Sequence, residues 1–139
     1  MSRKEARDIS FKIIYQNEFQ KEDFDNIIAV TLSEQTNMDE ETEKYITKVT
    51  NGIRENNEII EEYITKNLKS NWNISRISKL NIAILKIAIF ELKYMKEDVP
   101  PKVAINEALE LVTMYGDLKD KSFINGILAK VFEEVSKEG

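Results

Sequence analysis

Apolar residues recur at intervals of three and four along almost the whole chain, and no stretch shows the sustained alternation typical of strands. This spacing places apolar side chains on one face of an α-helix, whereas a half-buried strand buries every second residue. Only four Gly and two Pro interrupt the 139 residues, which suits helices joined by short connections. The sequence therefore predicts an all-α protein that folds as one compact domain.

The signals at helix ends divide the first part of the chain. Ser2 and Glu5 form a capping box for a first helix, because each side chain can bond the backbone N–H of the other. Asn37 is expected to cap a long third helix that reaches about Leu68. Gly52 lies within that helix, where a glycine marks either close packing or a kink.

A polar connection at residues 69–73 follows, and Trp72 within it is expected to be a packing anchor. This connection is the predicted junction between an N-terminal helical half, about 1–70, and a C-terminal half, about 71–139. The sequence thus predicts two helical halves packed into one domain.

The C-terminal half begins with the most apolar helix, at residues 75–94, which is expected to be buried on several sides as a central hub helix. Pro101 suits the first position of the next helix, and Gly116 suits its end. A last helix begins near Asp120, and Gly126 within it is expected to allow close approach of another helix.

The composition excludes most catalytic chemistry. The chain has no Cys and no His, which removes thiolate chemistry and the commonest general base and metal ligand. No spacing of acidic residues indicates a carboxylate pair or a metal site, so we expect a binding protein without cofactor or metal. No apolar run is long enough to span a membrane and the charged N-terminus does not resemble a signal peptide, so a cytoplasmic location is expected.

Because the net charge is −5, any contact with nucleic acid must depend on a local basic patch. Arg3, Lys4 and Arg7 lie at the start of the first helix, where the helix dipole favours anions rather than cations. Two interpretations stay open here: a phosphate-binding surface, or a solvated helix end neutralised by Glu5 and Asp8.

Further along the chain, Lys86 is the only charge between Lys79 and Glu91 on the hub helix. It either extends its ammonium out of the core to solvent or points at a bound polyanion. Lys69 and Lys121 are candidates to extend a basic track, although each also suits an ordinary surface position.

Tyr15 is the aromatic residue best placed to contact a ligand. It follows Arg7 and Phe11 at intervals of four, so the basic end of the first helix continues into an aromatic strip. Single-stranded RNA is commonly held by base stacking as well as by phosphate contacts. Core packing, base stacking and contact with a partner protein all stay open for Tyr15.

Two motifs carry a resemblance to a known family. Residues 99–108 read V-P-P-K-V-A-I-N-E-A and residues 123–128 read F-I-N-G-I-L. Together with the basic opening and a hub helix that ends in Glu91-Leu92, they resemble the NusB transcription antitermination family, which typically shows V-P-x-K-V-A-I-N-E-A and F-V-N-G-V-L. Lys86 stands where that family usually has Arg.

The resemblance implies two small helical bundles that bind boxA RNA of nascent ribosomal RNA transcripts. It also implies a partner, the small-subunit ribosomal protein that doubles as NusE, and joint action in the antitermination complex of RNA polymerase. By position it places Arg3, Lys4, Arg7 and Lys86 near RNA. It places Tyr15 near the partner protein, with Asn81 on an exposed approach of the hub helix as a weaker candidate.

Two alternatives stay open beside this interpretation. In the first, the chain is a protein-only helical adaptor whose binding is insensitive to RNA. In the second, it is a stand-alone relative of the RNA-binding domain that is fused to certain RNA methyltransferases. The sequence also leaves open whether the protein is a monomer or a homodimer.

Overall fold

The computed structural model describes residues 1–138, and over that range the secondary structure is helical, without strands. The all-α prediction is therefore confirmed. Two short 3-10 turns, Lys21–Asp23 and Ile74–Arg76, lie between α-helices. The α-helices in chain order are α1 Arg3–Phe19, α2 Phe24–Ser33, α3 Glu40–Glu55, α4 Asn57–Lys66, α5 Lys79–Tyr94, α6 Pro101–Tyr115 and α7 Asp120–Glu138.

Helix α5 is the centre of the fold, as the sequence predicts for the hub helix. It packs against α1, α3, α4, α6 and α7, and every residue from 81 to 92 is buried. One cluster of buried apolar side chains includes Ile13 of α1, Ile60 of α4 and Leu128 of α7. The predicted division near residue 70 stays a prediction, because this cluster takes side chains from both sides of it.

Several predicted helix ends are confirmed. The hydroxyl of Ser2 accepts from the backbone N–H of Glu5, and the Glu5 carboxylate accepts from the backbone N–H of Ser2. Pro101 begins α6 and Gly116 follows its end. These ends depend on contacts within one turn, which a sequence motif specifies directly.

The predicted third helix is wrong in two respects. Asp39 rather than Asn37 caps it, and Asn37 instead turns the chain with a φ of 60°, a conformation that Asn tolerates. The predicted continuous helix also breaks at Asn56 into α3 and α4. Gly52 does mark close packing, since a Cβ there would lie 2.2 Å from Cε1 of Phe90.

Two other packing predictions are corrected. No atom lies within 4 Å of the position that a Cβ of Gly126 would take, so Gly126 does not receive a neighbouring helix. Trp72 is 42% exposed rather than a buried anchor, and its ring packs only partly against Phe123. Both residues border the same surface groove, which is described below. No helix within residues 1–138 is long and apolar enough to cross a membrane.

Candidate nucleic-acid interface

The basic opening is held by carboxylates from the other end of the chain. Nη2 of Arg3 lies 3.1 Å from Oδ2 of Asp98, and the ammonium of Lys4 contacts Glu110 and lies 3.6 Å from Glu107. These contacts raise the pKa of Lys4, chiefly through the hydrogen bond to Glu110. The two cations stay exposed, so an incoming phosphate can reach them by displacing a carboxylate.

Arg7 is not exposed, and its predicted RNA contact is corrected. Its side chain is only 4% exposed, and the guanidinium donates to both oxygens of Glu91 and, at 2.9 Å, to Glu107. The hydroxyl of Tyr45 donates to Glu91 at 2.7 Å. Burial alone would lower the pKa of Arg7, but Glu91 outweighs it and the pKa rises. Arg7 therefore joins α1 to α5 and α6 rather than facing solvent.

Lys86 is also buried, so both predicted orientations are wrong. Its ammonium neither reaches bulk solvent nor faces a surface, because its side chain is 3% exposed. It donates to Glu18 of α1 at 2.7 Å and lies 3.1 Å from Glu61 of α4. A buried lysine requires such partners, since an unpaired charge in the interior is costly.

Asn81 is buried as well, which corrects its predicted exposed position. It is 5% exposed, and its Oδ1 atom has no hydrogen-bond partner among residues 1–138. The neighbouring helices that cover residues 81–92 cover this residue too.

The predicted aromatic strip exists and extends beyond α1. Phe11 stacks on Tyr15 with ring centroids 5.7 Å apart, and Tyr15 meets Phe19 edge-on at 5.3 Å. Tyr115 of α6 also stacks on Phe11, with ring centroids 5.2 Å apart. Phe19 is 59% exposed and Tyr15 is half-buried. We call these four residues the aromatic strip. Lys79 of α5 lies over the Phe19 ring, 5.5 Å from its centroid.

A second aromatic surface surrounds Trp72. The ring centroids of Trp72 and Phe123 lie 6.4 Å apart, and both rings line a groove of about 290 Å³ between the end of α4 and α7. Gly126 lines this groove and leaves it open, while Lys69 and Lys130 line it with positive charge. We call this surface the Trp72 groove. Lys121 lies two residues before Phe123 on the same helix.

Cations without an ion pair border this groove. Nine Lys and Arg side chains make no ion pair with a carboxylate of residues 1–138, in contrast to Arg3, Lys4, Arg7 and Lys86. They are Lys48, Lys69, Arg76, Lys79, Lys96, Lys102, Lys121, Lys130 and Lys137. Lys69 and Lys130 line the Trp72 groove, and Arg76 and Lys79 lie on the segment that follows Trp72.

The sequence contains a signal for this surface that motif reasoning missed. Residues 63–90 hold no Asp or Glu, although the chain as a whole has 25 of them. The same segment holds five cations, at positions 66, 69, 76, 79 and 86. A long segment without acids in an acidic chain indicates a local positive surface.

The geometry therefore defines an all-helical protein with a partly exposed aromatic strip and a basic aromatic groove. A sequence profile of the NusB family matches residues 4–133. The chain belongs to the NusB family.

Similar proteins agree with this assignment over nearly the full chain. The transcription antitermination protein NusB of Acetivibrio thermocellus is 45% identical over 131 residues, which cover 94% of this chain and 88% of that protein. The protein of the same name from Clostridium novyi is 36% identical over 134 residues, which cover 96% of this chain and 99% of that protein.

Solved structures show the same fold. The structure of T. maritima NusB superposes with a TM-score of 0.88 at 30% identity, covering 96% of this chain and 92% of that one. A structure of the antitermination factors NusB and NusE in complex with double-stranded RNA gives a TM-score of 0.85 at 23% identity, covering 95% and 96%.

Proposed function

We propose that this protein is a non-catalytic transcription antitermination factor of the cytoplasm. It binds boxA RNA of nascent ribosomal RNA transcripts together with the ribosomal protein NusE, within the antitermination complex of RNA polymerase. Membership of the NusB family supports this proposal, as do relatives named transcription antitermination proteins. The solved complex of a protein of this fold with NusE and RNA supports both partners.

The observation that carries the proposal is the Trp72 groove. Two neighbouring aromatic rings offer stacking surfaces for unpaired bases, and lysines beside them attract the backbone. The ion pairs of the basic opening do not reduce the positive charge of this groove. Lys69, Lys121 and Lys130 make no ion pair with a carboxylate of residues 1–138. RNA bases therefore lie in the groove, and Lys69 and Lys121 contact phosphates.

Arg3 and Lys4 contribute in a second way. Exposed ion pairs contribute little to stability because water and salt screen them, so exchanging Asp98 or Glu110 for a phosphate costs little. Arg7 acts indirectly, since its ion pairs fix the start of α1 on α5 and α6.

The aromatic strip is the surface proposed for NusE. Its exposed Phe19 and half-buried Tyr15 form an apolar patch on a rigid helix, which is the kind of surface that protein partners cover. Asn81, being buried, acts on the partner only through the packing of α5.

Fluorescence anisotropy of a labelled boxA RNA and a scrambled RNA, with and without NusE over a salt series, tests the proposal. We expect tighter binding of boxA than of the scrambled RNA, strengthened by NusE. NusE binding without any preference for boxA would contradict the proposal and favour the protein-only adaptor, for which the aromatic strip is the supporting feature.

A further inference from the structure

A second cleft is lined by the segment that follows Trp72 in the chain. It has a volume of about 620 Å³ and lies between the end of α1, α4 and the start of α5. Three cations line it: Lys21, Arg76 and Lys79. We call it the α1–α5 cleft. Its residues 74–79 continue directly from the segment that forms one wall of the Trp72 groove.

Two acids also line the cleft, and the buried Lys86 offsets one of their two negative charges. Glu18 and Glu61 both contact the Lys86 ammonium, at 2.7 and 3.1 Å. The three lining cations and Lys86 behind them give four positive charges against the two acids. The cleft is therefore positive by two charges, and without Lys86 it would be positive by only one.

The cations that face the cleft are available for a ligand. Arg76 and Lys79 are exposed, and neither contacts a carboxylate among residues 1–138. Lys21 makes only a long contact of 3.8 Å with Glu18. Arginine is suited to phosphate because its planar guanidinium can donate two parallel hydrogen bonds.

We propose that the α1–α5 cleft is a phosphate subsite for the backbone of an RNA strand that continues from the Trp72 groove, and that Lys86 is a positioning residue that keeps this cleft positive from behind. This inference rests on the proposed RNA-binding function. It gives the buried cation of the hub helix a role that needs no contact with RNA. The subsite recognises the charge of the phosphodiester backbone and does not distinguish base sequences.

Anisotropy titrations of boxA and scrambled RNA with paired variants test this subsite. Arg76→Gln and Lys79→Gln should each weaken binding of both RNAs about two- to fivefold and reduce the steepness of the salt dependence by about 0.7. Lys102→Gln and Lys137→Gln are matched controls, because both residues are exposed and lie outside the cleft. These controls should behave as the unmodified protein does.

The net positive charge of the cleft, to which Lys86 contributes, has its own test, which does not depend on a variant that risks unfolding. Glu61→Gln removes one acid from the cleft. It should raise the affinity for both RNAs about two- to fivefold, with the largest gain at low salt. Glu58→Gln, an exposed acid of the same helix outside the cleft, should leave affinity unchanged. A cleft whose net charge plays no part in RNA binding predicts no gain of affinity for Glu61→Gln.

The outcomes separate the subsite from the proposed function. The subsite is overturned if Arg76→Gln and Lys79→Gln match the lysine controls, if Glu61→Gln gains no more than Glu58→Gln, or if neither RNA binds. The proposed function alone fails if boxA and scrambled RNA bind equally well with NusE present while the cleft variants still weaken both.

Discussion

The guanidinium of Arg7 donates three hydrogen bonds of 2.9 to 3.2 Å to the carboxylate of Glu91, which lies 84 positions further along the sequence. Both groups are buried, and the Tyr45 hydroxyl donates a further bond to the same carboxylate. Removing one member of such a pair leaves an uncompensated charge in the interior. The pair therefore makes the docking of α1 on α5 sensitive to single substitutions.

Arg7→Met should lower the free energy of unfolding by about 3 to 5 kcal/mol, because Glu91 would then stay buried without its cation. The measurement is urea denaturation followed by circular dichroism. The double variant Arg7→Met with Glu91→Met should lose less free energy of unfolding than the two single variants lose in sum. Strictly additive losses would contradict this role of the pair. Arg3→Met, at an exposed ion pair, serves as the control and should change stability little.

The two glycines of α3 and α7 should respond oppositely to alanine. A Cβ at position 52 would lie 2.2 Å from the Phe90 ring, so Gly52→Ala should cost about 1 to 3 kcal/mol as the ring or helix shifts. A Cβ at position 126 meets nothing within 4 Å, so Gly126→Ala should stabilise α7 by about 0.5 to 1 kcal/mol. Thermal unfolding of both variants measures the two changes in stability. Equal shifts of the midpoint temperature would contradict the packing around these glycines.

Trp72→Ala should weaken boxA binding by about 1 to 3 kcal/mol, which is the typical effect of one base-stacking aromatic residue. Stability should change little, because the ring is 42% exposed. Phe132→Ala is a suitable control, since Phe132 is 39% exposed on α7 but does not line the Trp72 groove. Anisotropy and denaturation on the same samples separate binding from folding. Unchanged RNA affinity of Trp72→Ala would remove the groove from the interface.

Acid should loosen the last turn of α7. Hydrogen bonds from Lys93 and from the Tyr63 hydroxyl lower the pKa of Glu138. A lowered folded pKa means that Glu138 contributes stability above its ordinary pKa of about 4.3 and loses it as the pH falls through the lower folded value. The protection factors of the amides at the α7 end, which correct hydrogen exchange for its intrinsic pH dependence, should therefore fall at acid pH. Glu138→Gln should show this lower protection already at pH 7, and a protection equal to that of the unmodified protein at pH 7 would contradict the role of the carboxylate.

The fold could be predicted where local chemistry decides it. Ser2, Pro101 and Gly116 act within one helical turn, so their motifs indicated helix ends correctly. The break at Asn56 could not be predicted in this way, because its side chain bonds the carbonyl of Gly52 and accepts from the distant hydroxyl of Tyr94. A pattern of apolar residues contains no information about such a partner.

The candidate site was predicted less well, for a related reason. Whether a cation is free or paired depends on carboxylates remote in sequence, as Arg7 with Glu91 and Lys86 with Glu18 show. The aromatic strip was predictable because its α1 members repeat at intervals of four. The absence of acids in residues 63–90 was also readable from the sequence and pointed to the surface that carries free cations.

Lys79 belongs to two surfaces at once, because it lies over the Phe19 ring of the aromatic strip and also lines the α1–α5 cleft. A protein that covers Phe19 changes the water and the dielectric around that ammonium, and a phosphate in the cleft changes where the ammonium rests. The two ligands are then energetically coupled through one side chain, and linkage requires that each alters the affinity of the other by the same factor. Where both proposed partners bind, this one lysine is the point at which their binding becomes cooperative.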